Sequence, residues 1–202
     1  MTQTIRIILA EDQTLLNNAL AALLNLEDDL DVVGCAEDGA TALDLVRQHQ
    51  PDILLTDIEM PILSGLDVAS ELQGEGDPKV IIVTTFNRSG YMHRAMELGV
   101  KGFLLKEAST DELARAIRKV HAGGKVFDAE LVSNAWGSVN PLTDNERRAL
   151  MLAHQGMTTE QIADNLHLSA GTVRNYLSQA AQKLLAKNRI EAARIAKQKG
   201  WL

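Results

Sequence analysis

Several side chains in the N-terminal part of the sequence carry complementary chemistry: Glu11 and Asp12, Asp57, Thr84 and Lys106. Each stands at or just past the end of a short aliphatic run. "IRIILA" (5–10) leads into Glu11-Asp12, "DILLT" (52–56) into Asp57, "KVIIVT" (79–84) closes on Thr84, and "GFLL" (102–105) precedes Lys106. Three carboxylates gathered in one pocket repel one another, and the usual resolution is a raised pKa or a cation. Hard oxygen ligands with open positions suit Mg²⁺, which keeps several waters and often binds a phosphate as well. A flanking lysine and threonine would complete an anion site. In such a pocket Asp57 could be the nucleophile, forming an aspartyl phosphate while the metal neutralises the incoming group. Taken singly, each residue has a plainer role: Asp12 as a helix cap before "QTLLNNAL", Asp57 as a turn acid, Lys106 as a solvated lysine. Their recurrence at four separate strand ends is what argues for a site.

The elements that must position these groups follow from periodicity. Aliphatic runs at 5–10, 31–36, 52–56, 79–84 and 102–105 alternate with helical patterns near 14–26, 39–49, 65–73, 89–98 and 109–122. Strands alternating with helices predict an α/β fold, a doubly wound five-stranded parallel sheet covered on both faces. In the order 2-1-3-4-5, strands 1 and 3 are neighbours, and Glu11, Asp12 and Asp57 meet beside the switch point at the strands' carboxyl ends. Pro61 restricts Met60 to extended geometry, and Gly65 permits a tight turn into the next helix. Asp57 is expected exposed at the sheet's edge beside a cation, so that its charge need not be buried.

The pattern breaks over 123–140, where "GGKVFDAELVSNAWGSVNP" opens with paired glycines and reads as a linker with one helical turn. Four helical stretches follow, at 143–155, 159–166, 170–186 and 189–198, with no strand signal. The expected division is a first domain over 1–122, a linker over 123–140, and an all-α domain over 141–202.

Composition agrees with two folded parts. Of the 202 residues, 46 % are hydrophobic and 23 % charged, while aromatics are only 3 %, so the core must be aliphatic. The single cysteine, Cys35, excludes an intramolecular disulfide, suits a reducing cytoplasm, and is expected as a small apolar residue in the second strand. "MTQTIRIILAED" carries no signal-peptide pattern, and no apolar run approaches the roughly 20 residues that span a bilayer. A cytoplasmic protein without membrane insertion is expected. The net charge of −7 is divided: 22 acidic and 11 basic residues up to Val139 give −11, and 5 acidic and 9 basic from Asn140 give +4. An acidic body with a basic tail hints at a nucleic-acid reader.

The tail reads as helix, turn, helix, helix. Thr158-x-x-Gln161 is a capping box, and Ser169 can cap the helix that follows the "HLS" turn. Val173, Leu177, Ala180 and Leu184 form one buried stripe. Arg174, Asn175, Ser178 and Gln182 project from the opposite side, a face free of acids with donors for base edges and phosphates. The helix N-terminus at Ser169 would add a phosphate contact. A small helical bundle with a polar surface fits the same pattern.

Residues 1–122 resemble the receiver domain of bacterial two-component response regulators, through "AED", "DIEMP…SG", Thr84 after "IIV" and Lys106 after "GFLL". The tail, through "LTDNERRAL", "GMTTEQIA", "LSAGTVRNYL" and "KLLAKNRIEAA", is similar to the LuxR-type helix-turn-helix. The pairing is that of the NarL/FixJ class, whose receiver is flavodoxin-like. The resemblance implies that Asp57 accepts a phosphoryl group from a sensor histidine kinase. It implies Mg²⁺ bound by Asp12, Asp57 and the backbone carbonyl of Glu59, with Glu11 acting through water. Thr84 would be the switch hydroxyl, Lys106 the cationic partner of the phosphate, and Phe103 the aromatic that follows the switch. Ser169, Thr172, Arg174, Asn175 and Ser178 would face double-stranded DNA, with Lys183, Lys187 and Arg189 as phosphate contacts. The last helix would be a dimer surface.

Departures accompany the match. Glu107 stands where many receivers have proline, Asn145 and Gln161 replace an arginine and a glutamate, and Ser178 stands where a basic residue is frequent. Interhelical salt bridges are therefore expected to be missing. The function implied is a transcription factor in which phosphorylation promotes a homodimer, expected through helices 14–26 and 109–122, and operator binding. It is no enzyme beyond its own phosphoryl chemistry. Two alternatives are a Mg²⁺-dependent phosphohydrolase and a phosphorylation-independent dimeric DNA-binding regulator.

Overall fold

The computed structural model describes residues 4–74, 78–85, 88–127 and 140–202. They fall into two compact units with separate cores. In the first, β1 (Ile5–Ala10), β2 (Leu30–Ala36), β3 (Ile53–Thr56), β4 (Lys79–Thr84) and β5 (Gly102–Leu105) alternate with α1 (Thr14–Leu24), α2 (Gly39–His49), α3 (Gly65–Glu71), α4 (Ser89–Glu97) and α5 (Thr110–His121). All pairings are parallel, in the order β2-β1-β3-β4-β5-β6.

The sixth strand, β6 (Val126–Phe127), corrects the five-stranded expectation. It lies in the stretch read as linker and pairs Val126 with Gly102 and Phe127 with Phe103. Two residues are too few to show a period, and the preceding glycines pointed to a loop. The helical turn expected further along that linker lies outside the described residues, in 128–139.

Side chains along a strand alternate between faces. Ile7, Leu9, Ile53, Leu55, Ile81, Val83 and Leu104 pack with Leu24 of α1 and with Leu113, Ile117 and Val120 of α5. Ile8, Leu54, Ile82 and Phe103 occupy the alternate positions and are also buried. Burial on both faces is why the strands read as unbroken apolar runs. The edge strand β2 is the exception, and Cys35 on it is exposed rather than packed.

In the second unit, α6 (Asp144–His154), α7 (Thr159–Leu166), α8 (Ala170–Lys183) and α9 (Arg189–Gln198) surround a core of Leu150, Ile162, Val173, Leu177, Ala193 and Trp201. Thr143 with Glu146 and Thr158 with Gln161 form capping boxes that fix where α6 and α7 begin. Helix α8 stops short of the expected residue 186, because Leu185 turns into the left-handed region with φ +52°.

Candidate functional site

Sheet register brings the acids together. Ala10 lies opposite Thr56 across β1 and β3, and the Asp57 N–H donates to the Ala10 carbonyl at 2.9 Å. Glu11 and Asp57 therefore leave the sheet side by side. Helix α1 starts at Gln13 with no side-chain cap, so Asp12 is not spent on the helix. Glu11, Asp12 and Asp57 each present a carboxylate oxygen, all within 4.8 Å of one another. Three hard oxygen donors this close fit a cation such as Mg²⁺.

On the other side, Thr84 at the end of β4 pairs with Leu105, and the Lys106 N–H donates to the Thr84 carbonyl at 2.9 Å. The Lys106 side chain reaches into the acids, with Nζ 2.8 Å from Asp57 Oδ2 and 2.6 Å from Glu11 Oε2. Asp57 also accepts the Ile58 N–H on Oδ1 at 2.6 Å. Sequence reasoning expected Asp57 exposed, but it is 5 % exposed. Its charge is buried because a lysine and a backbone donor satisfy it. Glu11 and Thr84 are buried too, while Asp12 lies at the exposed mouth.

Burial pushes the Glu11 carboxyl above its ordinary value, and the hydrogen bond from Lys106 offsets only part of that rise. For Lys106, burial opposes the charge, but hydrogen bonds to Asp57 and Glu11 outweigh it and raise the pKa. The ammonium is thus firmly charged. Gly65 matters through close approach rather than turn geometry: a Cβ there would lie 2.0 Å from the Asp57 carbonyl oxygen. Helix α3 can therefore seat its first turn directly on the Asp57 turn, where the Gly65 N–H donates to the Ile58 carbonyl at 3.0 Å. Glu59 lies half-buried in that turn, and Phe103 is buried between its register partners Ile82 and Phe127.

Two groups escaped the sequence reading. The Ile58 amide donor carries no sequence signal. Asn17 is 2 % exposed, and its Nδ2 donates to the carbonyls of Glu11 and Ala36. It lies two turns before the buried Leu24 on the core stripe of α1, and a polar residue in that stripe was the available signal.

In the second unit, Ser169 caps α8, accepting the Thr172 N–H at 3.1 Å and sharing a hydrogen bond between hydroxyls with Thr172 at 2.9 Å. Val173, Leu177, Ala180 and Leu184 are buried, and Arg174, Asn175, Ser178 and Gln182 are exposed. Lys187 and Arg189 are exposed at the start of α9. Lys183 is different: its Nζ donates to Glu146 Oε2 at 2.7 Å, and Glu146 is 2 % exposed. The lysine expected at a phosphate thus also makes an interhelical ion pair, of the kind expected to be missing. Gln161, also expected to weaken such bridges, accepts the Thr158 N–H at 2.9 Å. Asn145 approaches the Tyr176 hydroxyl at 3.4 Å.

Among the described residues no helix is long and apolar enough to cross a membrane. Residues 7–118 match the model of the response regulator receiver domain, and residues 140–196 that of the bacterial regulatory proteins of the luxR family. The transcriptional regulatory protein DesR of Bacillus subtilis is 49 % identical over 197 residues, 98 % of each chain. The uncharacterized transcriptional regulatory protein YvfU of the same organism is 51 % identical over 199 residues, covering 98 % of this chain and 100 % of that one. Among solved structures, the response regulator ChrA of a heme-sensing two-component system is similar with a TM-score of 0.58 and 28 % identity, covering 98 % of this chain and 99 % of the other.

Proposed function

This chain belongs to the two-component response regulators, a receiver domain followed by a luxR-type DNA-binding domain, and from that premise we propose that phosphorylation of Asp57 controls its dimerisation and its binding to DNA. The observation that carries the reading is the Lys106 ammonium seated between Asp57 and Glu11, with Thr84 on the adjoining strand end. We take residues 1–122, extended by β6, as the receiver and 141–202 as the DNA-binding domain, with the rest of 123–140 between them.

The phosphoryl group would come from a histidine of a sensor kinase. The N–P bond breaks with its electron pair returning to the imidazole, and an Asp57 carboxylate oxygen forms the new O–P bond. Mg²⁺, when bound, would be held by Asp12, Asp57 and the backbone carbonyl of Glu59, with Glu11 acting through water, and would neutralise charge on the transferring group. Lys106 supplies a cation to a phosphoryl oxygen, and the Thr84 hydroxyl supplies a hydrogen bond. Phe103, one strand over from Ile82, follows Thr84 and shifts the population toward a dimer.

The face of α1 supports a receiver dimer. Leu15 is 85 % exposed and Leu23 43 %, with Ala19 and Ala22 exposed between them, and Leu26 in the turn just past the helix is 78 % exposed. An apolar stripe at helical spacing left in water marks an interaction surface. On DNA, Arg174, Asn175 and Ser178 would face base edges, while Ser169, Thr172, Lys187 and Arg189 would contact phosphates. A dimer joins two weak, salt-dependent half-site contacts by avidity.

The test is an intact-mass spectrum after incubation with Mg²⁺ and a small-molecule phosphodonor. A phosphoryl adduct in the wild type that is absent from Asp57→Ala supports the reading. No adduct on folded wild type, or DNA binding indifferent to Asp57→Ala, would overturn it in favour of a phosphorylation-independent regulator.

A further inference from the structure

We propose that Asn17 is a positioning residue of the acid pocket, holding Glu11 and Asp12 in the geometry that receives a divalent cation. The inference rests on the reading of that pocket as a Mg²⁺-dependent phosphoacceptor site. Asn17 lies on α1 with its side chain turned into the sheet, 2 % exposed. Its Nδ2 donates to the Glu11 carbonyl at 2.9 Å and to the Ala36 carbonyl at 2.7 Å. The Glu11 N–H donates to the same Ala36 carbonyl at 3.0 Å. One amide thus ties the ends of β1 and β2 to the first turns of α1.

That tie fixes directions as well as positions. With its N–H held by Ala36 and its carbonyl by Asn17, Glu11 has both main-chain polar groups pinned. The Glu11 carbonyl shares a rigid peptide plane with the Asp12 nitrogen, so holding one orients the other. The Glu11 carboxylate is then aimed at Lys106, and the Asp12 carboxylate stays within 4.8 Å of Glu11 and Asp57.

Stability alone is a poor reason for an asparagine here. Both partners are carbonyls, so only the NH₂ group can face them, and the amide cannot be turned around. Its Oδ1 is then left buried with no hydrogen-bond partner. An unsatisfied buried acceptor is costly, and an apolar residue would avoid that cost while continuing the Leu20, Leu24 stripe. A polar group kept at such a point, directly behind two of the three acids, fits a supporting role for a cation site. Supporting groups of this kind characteristically set metal affinity over about 10- to 100-fold.

Two variants of the full-length protein separate positioning from stability. Asn17→Leu removes the donor and fills the space, and Asn17→Ala removes the donor and leaves a cavity. Mg²⁺ is titrated calorimetrically into each, and thermal midpoints are recorded without metal. The expected result is a loss of Mg²⁺ affinity of about tenfold, similar in both variants although their midpoints differ. Leu24→Ala, which disturbs the same helix away from the acids, should lower the midpoint and leave Mg²⁺ affinity at the wild-type value. Wild-type affinity in either folded Asn17 variant, or a loss that tracks the midpoint across all three, overturns the inference alone. Absence of Mg²⁺ binding by the wild type overturns the reading of the pocket itself, and this inference with it.

Discussion

Lys106 and Asp57 form a buried ion pair at 2.8 Å, and Glu11 is a second partner of the same ammonium at 2.6 Å. Two carboxylates, one of them Glu11 with a raised pKa, therefore depend on one cation. Any divalent ion entering the pocket must share the acids with that lysine.

Lys106→Met makes the dependence measurable in two opposite directions. Removing the ammonium leaves two buried acids without a cation, so metal-free stability should fall by about 3 kcal/mol. The same change removes a competitor, so Mg²⁺ should bind more tightly and restore more stability than it does in the wild type. Thermal unfolding with and without Mg²⁺, together with calorimetric titration, reads both. Weaker Mg²⁺ binding in the variant would show that the lysine supports the site rather than competing for it.

The exposed stripe on α1 predicts the dimer surface. Leu26→Glu places a charge on a side chain that is 78 % exposed, so the fold should tolerate it. Phosphoryl uptake at Asp57 should be unchanged, while dimerisation of the phosphorylated protein weakens about tenfold or more. Sedimentation velocity on phosphorylated samples measures this. An unaltered dimer would move the interface to another face.

Most of the first unit was legible because its pattern is redundant. Ile7 and Ile8, or Leu54 and Leu55, are buried on opposite faces of one sheet, so each run announces itself without reference to any partner. The acids were legible for a related reason: strand ends are fixed by the runs that precede them. What escaped was non-local. The burial of Asp57 depends on a lysine 49 residues away, and Lys183 is taken by Glu146 37 residues away. Neither partnership has a local signature. Strand β6 escaped because two residues cannot show a period, and Asn17 because a polar residue in an apolar stripe reads as noise until its partners are known.

Two lysines that sequence alone treats alike differ in their surroundings. Lys187 is exposed, whereas Lys183 is bonded to Glu146. Lys187→Ala should weaken DNA binding uniformly across sequences and reduce the salt slope by about 1. Lys183→Ala should leave the salt slope alone and destabilise the helical unit by about 1 kcal/mol, since its side chain is 37 % exposed and the pair is partly screened. Arg174→Ala, at an expected base contact, should cost about 1–3 kcal/mol and relax specificity. Fluorescence anisotropy across a salt series distinguishes the three. A normal salt slope for Lys187→Ala would remove that lysine from the interface.

Glu146 gives the helical unit an acid limit. Burial opposes its ionisation, but hydrogen bonds from Lys183 and from the Thr143 N–H outweigh it and hold the carboxyl below its ordinary value of 4.5. A depressed folded-state pKa stabilises the fold fully above the unfolded-state value, and the contribution is lost as pH falls through the folded-state value. The transition of the helical unit should therefore be level above about pH 5 in this respect and drop below about pH 4.5. Glu146→Gln keeps an acceptor for the Thr143 N–H but carries no charge, so its transition should be lower at neutral pH and flatter in acid. Calorimetry at stepped pH tests this, and parallel profiles for the two proteins would exclude Glu146 as the cause.

The turn between α8 and α9 holds a residue against its own preference. Leu185 takes φ +52° and is 93 % exposed, so its side chain gains little burial to offset a left-handed backbone. The position follows the end of a helix, where glycine is the usual solution. Leu185→Gly should raise the stability of the helical unit by about 0.5–1 kcal/mol, the cost of the left-handed leucine outweighing the extra freedom glycine brings to the unfolded chain. The same turn leads to Lys187 and Arg189, so DNA affinity separates two roles for the strain. Greater stability with unchanged affinity would make Leu185 merely tolerated, whereas greater stability with weaker binding would mean that the leucine holds those two cations in place.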